Sequence, residues 1–231
     1  LEGETKPGVY PKDVILSVLG KIKADGAVYK AIDFTGSYVE NLGVSGRMVV
    51  CNMAVEMGAK TAYMQPNQAV LDYVSKRAEV QYTDPDFKYE ESYVFDVSEL
   101  EPQLACPHSV DNVAPLSEVI KDRTITLNQG YIGSCTGGRE EDIAQAAKIL
   151  EGKHIPKYAR LVVVPASAEV MQSCMEKGYI QSLMAAGATI TTPGCGACLG
   201  AHEGILAPGE NCITTTTRNF PGRMGSTEAD I

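Results

Sequence analysis

Three cysteines are the residues best suited to chemistry. Cys195 and Cys198 form a CxxC pair in PGCGACLG, and Cys135 stands alone in YIGSCTGGREED. Three thiolates of this kind are compatible with an iron–sulfur cluster or, with His202, a Cys3His zinc site, while the CxxC pair alone also has the spacing of thiol–disulfide exchange. Spacing leaves iron–sulfur and zinc level. The redox reading ranks lower, because Pro193 and Gly194 follow the strand-like ATIT without the helix N-terminus that a thioredoxin-type pair uses. Gly194, Gly196, Ala197 and Gly200 let the backbone come close to an inorganic cluster and donate N–H groups to its sulfur. Three thiolates on four irons would leave one iron open, which suits a Lewis acid better than an electron carrier. Taken alone, Cys135 reads as a small residue packing a strand-to-helix turn. The positive end of the following helix favours its thiolate, and Glu140, Glu141 and Asp142 partly oppose that effect.

Two further groups could serve a reaction on small acids. Arg218 and Arg223 flank a Pro-Gly turn in TTTRNFPGRMG, and their planar forks match carboxylates bidentately, although two solvated arginines would look the same. In SGRMVVCNMAVEMG, Asn52 and Glu56 are four residues apart and share a polar helix face opposite Val49, Val50, Met53 and Met57. Glu56 could be a metal ligand or acid–base group, or the pair could be the solvated side of a helix. Cys51 and Cys174 read as core or interface filling, Cys106 and Cys212 have no assignable partner, and His108, His154 and His202 read as structural or exposed.

The elements that must hold these residues alternate between helix and strand. Pro11 opens a helix carried by Val14, Ile15, Val18, Leu19 and Ile22 and ending before Gly26. A strand over AVYKAIDF, a glycine-punctuated loop through Gly36 and Gly43, a helix from Gly46 to Met57, a strand at TAYM and a helix from Asn67 to Arg77 follow. YTDPDFKYEES reads as a surface loop and YVFDV as a strand. ACPHSVDNVAPLSEVIKDR is an irregular connector, which places a domain boundary at Val119 to Thr124. Beyond it come strands at TITL and YIGS, a helix from Glu140 to Leu150, strand RLVVV, helices around Glu169 to Ala186 and strand ATIT. The pattern predicts a layered α/β fold.

Bulk properties exclude several classes. The chain has 231 residues, 44% hydrophobic and 21% charged, which indicates neither disorder nor a membrane protein. Net charge is −9, with no basic run; Trp is absent and only four Phe are present, so nucleic acid is not an expected partner. No apolar run is long enough to span a bilayer. LEGETKPGVY has neither a signal core nor an initiator Met and reads as the start of an excised or processed chain. Seven cysteines without a secretory context favour reduced thiols and a cytoplasmic compartment.

GSCTGGREED, TTPGCGACLGAHEGILAPGE and TTRNFPGRMG together resemble the cluster and substrate motifs of the aconitase superfamily, most closely the large subunits of 3-isopropylmalate dehydratase and homoaconitase. PKDVILSVLGKI and VVCNMAVEMGAK extend the resemblance toward the amino end. It implies that Cys135, Cys195 and Cys198 ligate a [4Fe–4S] cluster, that Arg218 and Arg223 bind substrate carboxylate, and that Asn52 and Glu56 belong to the active site. It further implies two aconitase-type three-layer α/β/α domains in tandem, residues 1–122 as the family's second domain and residues 123–231 as an incomplete third. The implied reaction is dehydration and rehydration of a small hydroxy di- or tricarboxylate, with a separate small chain as partner. The family's amino-terminal domain and its serine base are missing from this sequence, so the isolated chain is expected to be inactive. Family members usually carry Asn after SCT and before RNF, where this chain has Gly137 and Thr217.

Overall fold

Pro11 has φ fixed near the helical value and no N–H to leave unpaired, and helix α1 (Pro11–Ile22) begins on it. Asp13, in its first turn, accepts the Tyr10 N–H at Oδ2 (2.7 Å) and the Gln103 N–H at Oδ1 (2.8 Å). Burial nonetheless pushes its carboxyl above the usual range. Val14, Ile15, Val18 and Leu19 are buried, as their spacing requires. The computed structural model describes residues 1–74, 81–121 and 124–231. The chain divides into two units, Leu1–Leu104 with Val113–Lys121 and Ala105–Asn112 with Asp122–Ile231.

In the first unit the expected strand AVYKAIDF shortens to β1 (Ala31–Asp33), because residues 24–29 form turns and Tyr29 has φ +67, which no strand accommodates. Two helices follow, α2 (Ser37–Asn41) and α3 (Val44–Met53). The second tightens into a 3-10 turn, Ala54–Met57, before Gly58 at φ +82. The helix expected from Gly46 to Met57 is thus shorter at its carboxyl end. Strand β2 (Thr61–Tyr63) pairs in parallel with β1, Ile32 opposite Ala62. Arg47 of α3 is buried and donates to three carbonyls: Nε to Leu42 (2.8 Å), Nη1 to Gln65 (2.9 Å) and Nη2 to Val39 (2.5 Å). It closes the carboxyl end of α2, whose last C=O groups have no helical partner.

Helix α4 covers Gln68–Val74; its expected end at Arg77 lies outside the described residues. YVFDV is not a strand: only Asp96 bridges, to Glu2, and Tyr93 and Val94 are exposed. ACPHSVDNVAPLSEVIKDR is more regular than expected. It contributes the end of β3 (Gln103–Ala105), all of β4 (Val113–Pro115), which pairs with β3, and helix α5 (Leu116–Ile120). Strands as short as β3 and β4, set among turn residues, carry too little periodicity to stand out in the sequence. The boundary expected at Val119 to Thr124 falls partly on residues outside those described.

The second unit holds a four-stranded parallel sheet. Its strands are β5 (Gln129–Gly133), β6 (Arg160–Val164), β7 (Thr189–Ile190) and β8 (Cys212–Thr214), in the order β7-β6-β5-β8. TITL is not a strand, since the neighbours of β5 begin at Arg160 and Cys212 and leave residues 124–127 no sheet partner. Between strands lie α6 (Ser134–Gly137), α7 (Glu140–Leu150), α8 (Ala168–Glu176) and α9 (Tyr179–Ala185), the last two separated by Gly178 at φ +80. Side chains of β6 alternate between two cores. Val163 packs with Ile143, Ala146, Cys174 and Leu183 of the three longer helices. Val162 and Val164 pack with Tyr131, Ala197, Cys198, Leu206 and Met224, so this face is covered by a 3-10 turn and irregular chain. The α/β class read from the sequence holds, with parallel pairing throughout the larger sheet.

Candidate functional site

In a parallel sheet all strands end on one edge, and loops leaving that edge are where α/β folds place ligands. Cys135 lies on α6, the one-turn helix leaving β5. Ser134 before it is held at φ +66, a conformation L side chains rarely adopt. Thr215, just past β8, fixes this turn: its Oγ1 accepts the Gly133 N–H (3.0 Å) and donates to the Gly137 carbonyl (2.8 Å), while its own N–H donates to Tyr131 O (3.0 Å). The fit is tight enough that a Cβ on Gly137 would lie 2.2 Å from Thr215 O. Cys135 itself is exposed.

Cys195 precedes a second 3-10 turn, Gly196–Leu199, which contains Cys198; the Cys198 N–H donates to Cys195 O at 2.9 Å. The buried Tyr131 hydroxyl donates to the same carbonyl at 2.6 Å, tying the turn to β5. Burial holds the Tyr131 phenol well above its ordinary range. A Cβ on Gly196, at φ +52, would sit 2.9 Å from that hydroxyl and 3.1 Å from Val164 Cγ2. A Cβ on Gly138 would lie 2.4 Å from Val164 O. The turns carrying Cys135 and Cys195 thus both rest on the end of β6. Cys195 is exposed and Cys198 buried.

Arg223 belongs to the same edge. Its Nη2 lies 3.8 Å from Cys198 Sγ, its guanidinium carbon is 5.6 Å from the Phe220 ring centre, and its buried Nε has no acceptor among the described residues. Arg218 is half-buried between buried Thr216 and Asn219. Asn219 donates through Nδ2 to the carbonyls of Ala105 (3.2 Å), Cys106 (2.8 Å) and Ser109 (3.3 Å), fastening residues 105–112 to this unit.

Asn52 and Glu56 lie in the first unit, Asn52 exposed on α3 and Glu56 half-buried in the 3-10 turn after it. The change of helix type between them loosens the shared face expected of a continuous α-helix. His202 is exposed and pairs with neighbouring Glu203 (Nδ1 to Oε2, 3.3 Å). Cys174 and Cys212 are fully or nearly buried thiols, pushed up to about 11 and about 12 by desolvation. Cys212, without an assignable partner in the sequence, receives the Gln129 amide at 3.8 Å.

The comparisons with known proteins agree in direction. The aconitase family model, described as aconitate hydratase, matches residues 1–230. The chain belongs to the aconitase family. It is 49% identical over 235 positions to 3-isopropylmalate dehydratase large subunit 1 of Methanopyrus kandleri, covering 100% of this chain and 56% of that one. It is 48% identical to a probable methanogen homoaconitase large subunit of Methanothermobacter thermautotrophicus (99% and 54%). It is also 44% identical to a 3-isopropylmalate dehydratase large subunit 1 of Pyrococcus abyssi (100% and 55%). This aconitase-family chain therefore spans about half the length of the curated relatives it matches.

The donor set suits the iron–sulfur group implied by the family. Three thiols, none in a disulfide, stand on turns at one sheet edge, two of them exposed, with glycine allowing close backbone approach. Among the described residues no three His, Cys, Asp or Glu side chains already converge as a metal cage. Sequence reasoning missed Tyr131, Thr215 and Asn219, which hold the thiol turns and the arginine segment in place. Only the β-branched run Ile213–Thr217 hinted at a strand there.

Proposed function

We propose that this chain is the thiol-bearing part of a [4Fe–4S] hydro-lyase that dehydrates and rehydrates a small hydroxy di- or tricarboxylic acid, 3-isopropylmalate first among them. Homoaconitate, methyl-substituted malates and citrate are the other candidates. The observation that carries the reading is the placing of the Cys135 turn, the Cys195–Cys198 turn and Arg223 on one carboxyl edge of a parallel sheet, in an aconitase-family chain. On this reading residues 1–122 correspond to the family's second domain and residues 123–231 to part of its third. The small subunit that the name "large subunit" implies for the relatives is the partner, and the compartment is the cytoplasm.

Cys135, Cys195 and Cys198 would hold the cluster. When bound, it supplies an iron with an open coordination position, a Lewis acid for the departing hydroxyl. Arg218 and Arg223 hold substrate carboxylates through their planar forks and fix the carbon skeleton. Asn52 gives a polar contact to the bound acid, and Glu56 moves a proton at the hydroxyl that leaves as water. The base that takes the proton from the adjacent carbon comes from outside this chain.

Iron and acid-labile sulfide analysis of anaerobically prepared protein tests the proposal. About four iron and four sulfide per chain are expected for a [4Fe–4S] site. Stoichiometric zinc with no sulfide would replace this reading with that of a zinc-stabilised structural module.

A further inference from the structure

Arg223 has a geometry that a carboxylate clamp alone does not require. One edge of its guanidinium, at Nη2, is 3.8 Å from the sulfur of Cys198. Phe220 lies beside the plane at 5.6 Å, and Gly200, at φ +75, brings its turn so near that a Cβ there would stand 3.1 Å from Arg223 O. The arginine is therefore held against the CxxC turn from both its side chain and its backbone. Nε is buried with no acceptor among the described residues, an unmet donor beside a thiol.

We infer that Arg223 is a positioning residue for the cluster as well as a substrate contact, a charged N–H donor to the Cys198 sulfur. This rests on the cluster reading above. A guanidinium carries five N–H donors, so the edge that meets Cys198 leaves others for an acid group. A cationic donor to a ligand sulfur spreads the charge of the thiolate, stabilises the more negative reduced cluster and keeps the ligand in place.

The test compares wild type, Arg223→Gln and Arg223→Lys, each reconstituted anaerobically with iron and sulfide. Cluster content, far-ultraviolet circular dichroism, reduction potential and the rate of cluster loss to a chelator are measured without substrate. In Arg223→Gln the potential falls below wild type and the cluster is lost about tenfold faster, the low end of what removing a donor to a metal ligand costs. Arg223→Lys lies between, since it keeps the charge and loses the fork. An Arg223→Gln chain with wild-type potential and loss rate overturns the inference while leaving the cluster reading intact. Failure of the wild type itself to take up iron and sulfide overturns both. If Arg223→Gln does not fold, Arg223→Lys decides, and identity with wild type counts against the proposal.

Discussion

At the scale of single residues, two of the three proposed ligand thiols differ from Cys174 and Cys212 in exposure, while the third, buried Cys198, has Arg223 Nη2 at 3.8 Å. Cys135 and Cys195 are open to solvent, whereas desolvation holds Cys174 and Cys212 in the protonated form that binds metals poorly. Replacing Cys135, Cys195 or Cys198 by Ser should each abolish the broad visible absorption of the reconstituted cluster, and replacing Cys51, Cys106, Cys174 or Cys212 should not. A normal spectrum from Cys195→Ser would remove that residue from the ligand set. Gly137 is a second residue whose identity the structure explains. There is no room for a Cβ here, because Thr215 O would lie 2.2 Å away. Gly137→Ala should therefore destabilise the protein by about 1–3 kcal/mol, as overpacking does, read as a lower midpoint in urea. Unchanged stability would mean that the Thr215 segment yields freely.

At the scale of elements, the long periodic segments were legible, TAYM and ATIT were read as the short strands β2 and β7, and β3, β4 and β8 were not read. Helix α1 and helix α7 announced themselves through spacing, and RLVVV through its apolar run; β3, β4 and β8 are three residues each and offer no period to read. Partner availability also decides strands: TITL has strand-forming residues but no neighbour to pair with. Polar residues that hold elements together were equally hidden, because an arginine in a helix looks solvated until its partners are known. Arg47 is the clearest case. Arg47→Met leaves three carbonyls without their donor and should cost roughly 2–3 kcal/mol, measured by thermal or urea unfolding. Arg160 is the counterpart in the sheet, donating to Gln129 Oε1 (2.5 Å) and to both oxygens of Glu210 (2.7 and 2.6 Å). This pairing, first, lowers the Glu210 carboxyl from 4.5 to about 2. A carboxylate depressed by folding adds stability above its unfolded value and gives it up as pH falls, here between about 4.5 and 2. Glu210→Gln should flatten the acid limb of the stability profile in that window. An acid limb identical to wild type would show that the pair adds nothing measurable.

At the scale of the whole molecule, the family was legible because its motifs, GSCTGGREED and TTRNFPGRMG among them, are runs of specific residue types in turns rather than the interchangeable apolar residues of a core. The chain spans 54–56% of the two most similar relatives named above. On the proposed function, this polypeptide by itself should show no turnover of 3-isopropylmalate, and turnover should require a proton-abstracting base supplied by further polypeptide. Activity of this polypeptide alone, in an assay following the unsaturated product, would mean that the proton-abstracting base lies within these residues. Among the described residues no helix is long and apolar enough to cross a membrane. The net charge of −9 disfavours contact with polyanions, so retention on a nucleic-acid column at low salt is not expected.

The pairing of β5 with β8 sets a timetable for making the site. Gln129 lies opposite Cys212 and Tyr131 opposite Thr214, across about 80 residues of intervening chain. At about 5–20 residues per second, Cys135 is synthesised roughly 4–16 s before β8 is complete. Until then Thr215, which fixes the Cys135 turn, does not exist, and neither does Arg223 beside Cys198. The first thiol waits in a nascent chain for the last strand, and the edge that bears the three thiol turns comes into being only when translation has passed it.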